Sequence, residues 1–211
     1  MAETGMKPID WRLRVHHDVD PVPKEWATLR NHVSVDHPGA VIAGGCLRDL
    51  ILGAPVKDID FFVPATDRPA NMKWAGWEKV REFTDTQGYI LGFRDEVCRV
   101  TEFFVPYQPL LPVQIIELRW DLSQKPFIDF VMERMDFDFC RVAYGPRRPM
   151  LDRAKLEVSL EAQCAFETNV ATLMICEDRI QAERSIKRAI RFQEKYPGWM
   201  FDLTLANQHL T

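Results

Sequence analysis

The chain has 211 residues, 46% of them hydrophobic, with 27 Lys and Arg against 31 Asp and Glu for a net charge of −4. That length supports one substantial core with at most a small helical appendage, and the charge excludes a global basic field, so any nucleic-acid contact must come from a local patch. The five cysteines are scattered and never form a CxxC pair, which excludes a zinc ribbon or a disulfide framework and predicts reduced, mostly buried thiols.

Residues 1–22 are polar and Pro-containing and read as an extended arm. The opening MAETGMKPID has no charged region followed by an apolar one, so no signal peptide is expected, and no apolar run approaches the roughly 20 residues of a membrane span. A soluble cytoplasmic protein without membrane contact is the expectation. Trp26, Leu29 and Val33 fall at helical spacing and predict a helix over residues 24–35. Val41-Ile42-Ala43 reads as a strand, residues 46–52 as a short helix after Gly44-Gly45, and residues 59–63 as a second strand. Residues 65–72 read as loop and residues 74–86 as helix, with Trp74 and Trp77 at i, i+3 in the core or an interface. Two short strands are expected near residues 90–94 and 98–104, then a Pro-rich connector and an apolar strand, VQIIEL, at 113–118. Residues 125–135 predict a helix, residues 137–144 a strand ended by Gly145-Pro146, and residues 160–197 a helical stretch. The order predicts an α+β fold, with a head over residues 23–150 and a small helical C-terminal part over residues 151–211.

Asp58 and Asp60 stand at i and i+2 on a strand, so both carboxylates point to one face. Like charges that close repel unless a cation lies between them, and Mg²⁺ carrying a nucleoside triphosphate is a frequent biological solution. Gly44 and Gly45 let backbone approach a phosphate closely, just before a helix start with free N–H groups. Arg184, Lys187, Arg188 and Arg191 occupy i, i+3, i+4 and i+7, one helical face that can hold a nucleotide or an RNA end, or simply be solvated. Asp136 and Asp138 are expected on one strand face, as ligand contacts or as a charged strand end beside Phe137 and Phe139. The five histidines show no metal-ligand spacing.

The run from Ala40 to Val63 resembles the signature of the nucleotidyltransferase superfamily (DNA polymerase beta-like). More narrowly, it resembles the head domain of tRNA nucleotidyltransferases (CCA-adding enzymes) and bacterial poly(A) polymerases. The pattern reads Gly44-Gly45-Cys46-Leu47-Arg48-Asp49, then Leu50-Ile51-Leu52-Gly53, then Asp58-Ile59-Asp60. The resemblance implies a mixed, mainly antiparallel sheet with flanking helices. It implies that Asp58 and Asp60 are catalytic and hold Mg²⁺ or Mn²⁺, that Gly44 and Gly45 cradle phosphates, that Arg48 contacts them, and that Asp49 helps hold the turn. The family's third acid falls on VQIIEL, where Gln114 stands in its place and Glu117 points to the opposite face. This leaves a two-acid site, a different register, or an acid from elsewhere.

Arg134-Met135-Asp136-Phe137-Asp138-Phe139 loosely resembles the family's Arg-Arg-Asp-Phe-Thr segment, which implies ribose contact for Arg134 and Asp136, with Asp138 as a further nucleotide-binding candidate on the same face. The run RAIRFQEKYPGW from Arg188 to Trp199 is similar to a family stretch that follows a base-selecting Glu-Asp-x-x-Arg motif. Here Glu177-Asp178 lies too far upstream and Ser185 replaces the arginine, so that template is altered or absent. About a dozen residues follow Trp199, which predicts a head with a trimmed neck. The implied reaction moves an NMP from ATP or CTP to an acceptor hydroxyl, an RNA 3′ end of tRNA-like type, releasing pyrophosphate. The alternatives are a non-catalytic nucleotide- or RNA-binding module, or transfer to a protein or small molecule.

Overall fold

The computed structural model describes residues 22–66, 71–83, 96–106, 111–121 and 125–210. The strands β1 (Val41–Ala43), β2 (Ile59–Pro64), β3 (Glu78–Phe83), β4 (Val97–Phe104), β5 (Val113–Leu118), β6 (Val142–Gly145) and β7 (Lys155–Val158) join one sheet in the order β3-β4-β5-β2-β1-β6-β7. The β2–β5 pair is parallel and the other pairings are antiparallel. The helices are α1 (Lys24–Asp36), α2 (Gly45–Ile51), α3 (Phe127–Glu133), α4 (Leu160–Thr168), α5 (Arg179–Lys195) and α6 (Thr204–Asn207). A separate parallel pair joins β8 (Val170–Thr172) to β9 (Met200–Asp202). The fold is α+β, with a mixed and mostly antiparallel sheet.

The period of 2 along each strand divides the apolar residues between two cores. Ile42, Phe61 and Ile115 pack with Trp26, Leu29 and Val33 of α1 and with Leu47 and Leu50 of α2. Phe62 and Ile116 point the other way and pack with Phe127 and Val131 of α3, Phe137, Phe139 and Phe192 of α5. Burying each such side chain contributes about 1.5–3 kcal/mol. Among the described residues no helix is long and apolar enough to cross a membrane.

Several expected elements differ. Residues 74–86 are not a helix: one 3₁₀ turn over Lys73–Ala75 ends at Gly76, whose φ of 73° stops it, and β3 follows. Trp77 is core, edge-on to Phe103 at 5.9 Å. The expected strand at 137–144 is broken by a 3₁₀ turn over Asp138–Cys140 before β6 begins. The cause is local: Asp136 Oδ1 accepts from the Phe137 N–H at 3.0 Å and Asp138 Oδ1 from the Phe139 N–H at 2.6 Å, an alternative to ladder bonding. Asp136 and Asp138 therefore do not share a strand face. The helical stretch at 160–197 is interrupted where Asn169 takes φ 56° at the end of α4 and the chain enters β8. The expected strand at 90–94 and the arm through residue 21 lie outside the described residues.

Candidate active site

The turn between β1 and α2 is built by Gly44, with φ 78° and ψ −127°, a conformation that disfavours a Cβ. An added Cβ would also meet Met135 Sδ and Cε at 3.2 Å. Gly44→Ala is expected to cost about 1–3 kcal/mol from the backbone conformation alone, read as a lower denaturation midpoint. The Gly44 carbonyl accepts from the Arg48 N–H at 3.0 Å, which starts α2.

Asp58 precedes β2 and Asp60 lies within it. With Ala43, Gly44, Gly45, Phe62 and Gln114 they form one wall of a cavity of about 400 Å³. Met135, Asp136 and the α5 residues Arg184, Lys187, Arg188 and Arg191 form the rest of the lining. The helix approaches closely because its inner face carries Ala182, Ser185 and Ala189, all buried. It starts where the Asp178 side chain accepts from the Gln181 N–H at 2.7 Å, so Asp178 is a helix cap.

Charge in the cavity is uneven. Arg188 Nη1 donates to both oxygens of the buried Asp136, at 2.9 and 2.8 Å. Arg184, Lys187 and Arg191 have no carboxylate partner among the described residues. Desolvation, then the Asp58 charge, push the Asp60 carboxyl up to about 7, with Arg188 opposing. Desolvation and then Asp49 raise Asp58, with Lys195 and Lys57 opposing and Glu102 adding to the rise. Two oxygen donors that resist simultaneous ionisation, beside open space, fit a Mg²⁺ ion, which takes one or two carboxylates and completes its shell with water and phosphate oxygens. Among the described residues no group of three or more His, Cys, Asp or Glu is placed to hold a metal.

No family model matches this sequence, and no curated protein matches it. Solved structures do. A CCA-adding enzyme with ATP is 20% identical, with 90% of this chain and 43% of that chain covered, at a TM-score of 0.59. The Thermotoga maritima CCA-adding enzyme complexed with tRNA is 20% identical, with 94% and 45% covered, at 0.55. A CCA-adding enzyme with CTP is 19% identical, with 90% and 43% covered, at 0.56. This chain spans less than half the length of each of these matched chains. The fold is that of the part of these CCA-adding enzymes that the chain covers.

Within this fold, the cavity gathers Gly44, Gly45, Asp58, Asp60, Asp136, Arg184, Lys187, Arg188 and Arg191 from segments far apart in the chain. Four other expected contacts lie outside its lining. Arg48 and Asp49 are buried, 4% and 5% exposed. Arg48 donates to Asp49 Oδ1 from Nη2 at 2.6 Å, to Tyr196 Oη from Nε at 2.9 Å and to Cys140 Sγ from Nη1 at 3.1 Å. Its guanidinium lies 4.5 Å from the Phe192 ring centre and 5.0 Å from that of Phe139. Asp49 also accepts from Lys195 and from the Tyr196 hydroxyl. Arg134 pairs with Glu96 at 2.5 Å, and Asp138 holds the Thr172 N–H at 3.0 Å. Each is occupied by tertiary structure. Phe62 and Met135 line the cavity without any sequence signal beyond their nearness to Asp60 and Asp136. Gln114 lies directly beside Asp60 in the parallel β2–β5 register, whereas Glu117 is 1% exposed and pairs with Arg99 at 3.2 Å.

Proposed function

We propose that this protein transfers an NMP from an NTP to an acceptor hydroxyl, the 3′ end of a tRNA-like RNA, with Mg²⁺ and with release of pyrophosphate. The observation that carries the reading is the juxtaposition in one cavity of Asp58 and Asp60 with three cations of α5 that have no carboxylate partner among the described residues. Solved structures of this fold with ATP, with CTP and with tRNA support the choice of ligands.

Asp58 and Asp60 would hold the ion, which when bound polarises the α-phosphate and lowers the pKa of the attacking hydroxyl. Arg184, Lys187 and Arg191 would draw the triphosphate against the Gly44-Gly45 turn, whose backbone comes close to it without a side chain in the way. Arg188 is steadied by Asp136 and so presents a fixed donor face to the nucleotide. Phe62 and Met135 add apolar walls that limit water. Ser185, which stands where the family's base-selecting arginine is expected, is buried, so the cation row would meet the nucleotide in its place.

One observation favours a second reading, a nucleotide- or RNA-binding module without catalysis. The Gln114 amide beside Asp60 cannot serve as a base or as a strong metal ligand. The two readings separate when purified protein, Mg²⁺ and total RNA are incubated with each α-phosphate-labelled NTP. Label on a discrete RNA band supports transfer, and NTP binding without label on any acceptor supports the module. Under either reading, changing Arg184, Lys187, Arg188 and Arg191 together to Gln is expected to weaken NTP affinity about 100-fold or more, since each charge-assisted contact is worth about 1.5–3 kcal/mol. Titration of a fluorescent NTP checks this, and unchanged affinity returns that face to solvent.

A further inference from the structure

The strand register puts one more acid on the sheet face that carries Asp60, one strand beyond Gln114 at the edge of the cavity lining. Residues directly opposed on paired strands share a face. Asp60 lies beside Gln114, Gln114 beside Glu102, and Glu102 beside Arg81. The four side chains form one row across β2, β5, β4 and β3. They share the face on which Phe62, Ile116 and Val100 enter the core that α3 and α5 cover. Gln114 fills the place next to Asp60, and Glu102 is the next acid along the row.

Glu102 is held for use. Its side chain is 14% exposed, and Arg81, 58% exposed, grips only Oε2, at 2.7 Å from Nη2 and 2.8 Å from Nε. Oε1 has no hydrogen-bond partner among the described residues. The Glu102 charge also reaches Asp58, where it opposes ionisation.

We propose that Glu102 takes the proton of the acceptor hydroxyl, a base supplied from one strand beyond the position that Gln114 fills. This rests on the nucleotidyl-transfer reading above. Two strand spacings, about 9.6 Å between Cα atoms, separate Asp60 from Glu102, which leaves room for one hydroxyl-bearing group above the Gln114 amide. In the step, the acceptor O–H bond breaks as its oxygen bonds to the α-phosphorus. The bond from that phosphorus to the β-phosphate oxygen breaks, and pyrophosphate leaves with the electron pair. The proton rests on Glu102 Oε1 and then passes to water. Asp58 and Asp60 serve as the ligands, so the base and the ligands are separate groups. Arg81 is a positioning residue that aims the carboxylate.

The test measures transfer from the four α-phosphate-labelled NTPs to total RNA with Mg²⁺, together with NTP affinity and thermal midpoint. Wild type is compared with Glu102→Gln, Glu102→Asp, Arg81→Ala, Asp58→Asn and the double change Glu102→Gln/Gln114→Glu. Glu102→Gln is expected to lower kcat about 100-fold or more, with NTP affinity and midpoint near wild type. Glu102→Asp keeps the charge but withdraws it by one methylene, and is expected to lose less. Adding Gln114→Glu returns a carboxylate to the row and is expected to restore about ten-fold of the loss. A merely structural pair would not give that rescue. If Glu102→Gln keeps its kcat while Asp58→Asn is inactive, this inference falls and the transfer reading stands. If Arg81→Ala is as damaging as Glu102→Gln and Gln114→Glu rescues nothing, Glu102 is a hairpin brace and the inference falls. A wild type that labels no acceptor overturns both readings.

Discussion

Asp60→Asn is expected to abolish transfer and, at the same time, to stabilise the metal-free protein. Loss of one ligand carboxylate removes several kcal/mol of transition-state stabilisation, a fall of about three orders of magnitude or more in rate. The stability effect has the opposite sign. Desolvation and the Asp58 charge raise the Asp60 carboxyl to about 7 in the folded state, so near neutral pH folding disfavours the ionised form. An amide of the same shape escapes that penalty. For a chain of this size each kcal/mol recovered moves the thermal midpoint by about 2–4 °C. Asp58→Asn relieves the same repulsion and is expected to behave alike, with a smaller rise in midpoint because Asp58 also faces Lys57 and Lys195. Scanning wild type and both variants with EDTA and again with Mg²⁺ completes the check. The ion is expected to raise the wild-type midpoint and leave the Asn variants unmoved, because it binds only the folded wild type. A variant that retains transfer removes the carboxylates from the chemistry.

The parts of this site that were legible in the sequence are those fixed by local rules. A strand, two glycines and a helix generate the turn at Gly44 whatever lies around it, and the period of 2 brings Asp58 and Asp60 to one face. The period of 3.6 aligned Arg184, Lys187, Arg188 and Arg191 before any packing partner was known. What failed depended on partners distant in the chain. The resemblance implies a phosphate contact for Arg48, yet its guanidinium packs among Phe139, Phe192 and Tyr196, more than 90 residues away. Trp74 and Trp77 at i, i+3 suggested a helix, but a single Gly76 with positive φ sufficed to end it and free Glu78–Phe83 to pair with β4. The strands β7, β8 and β9 have three or four residues each, too few to show a period, and exist because a partner strand is waiting.

Arg48→Met is expected to be strongly destabilising. Arg48 comes from α2, directly behind the Gly44-Gly45 turn, while Lys195 and Tyr196 end α5, so their shared grip on Asp49 ties the two elements together. The methionine would fill the space between the Phe139 and Phe192 rings and keep apolar packing. It would leave Asp49, 5% exposed, without its strongest buried partner. Removing one member of a buried pair typically costs about 3–5 kcal/mol, and because Lys195 and the Tyr196 hydroxyl still hold Asp49, the lower end of that range is expected. Tyr196→Phe deletes one hydroxyl from the same cluster and is expected to cost only about 1–2 kcal/mol. Combining the two is expected to cost less than their sum, as in any network with a shared acceptor. Chemical denaturation of the four proteins measures all three terms. The functional consequence is indirect: α5 loses its fixed distance from the turn, so NTP affinity falls with stability in the same variants. A phosphate-binding arginine would behave differently. It would lose affinity on substitution while the denaturation midpoint held, and that outcome would turn Arg48 back toward the cavity.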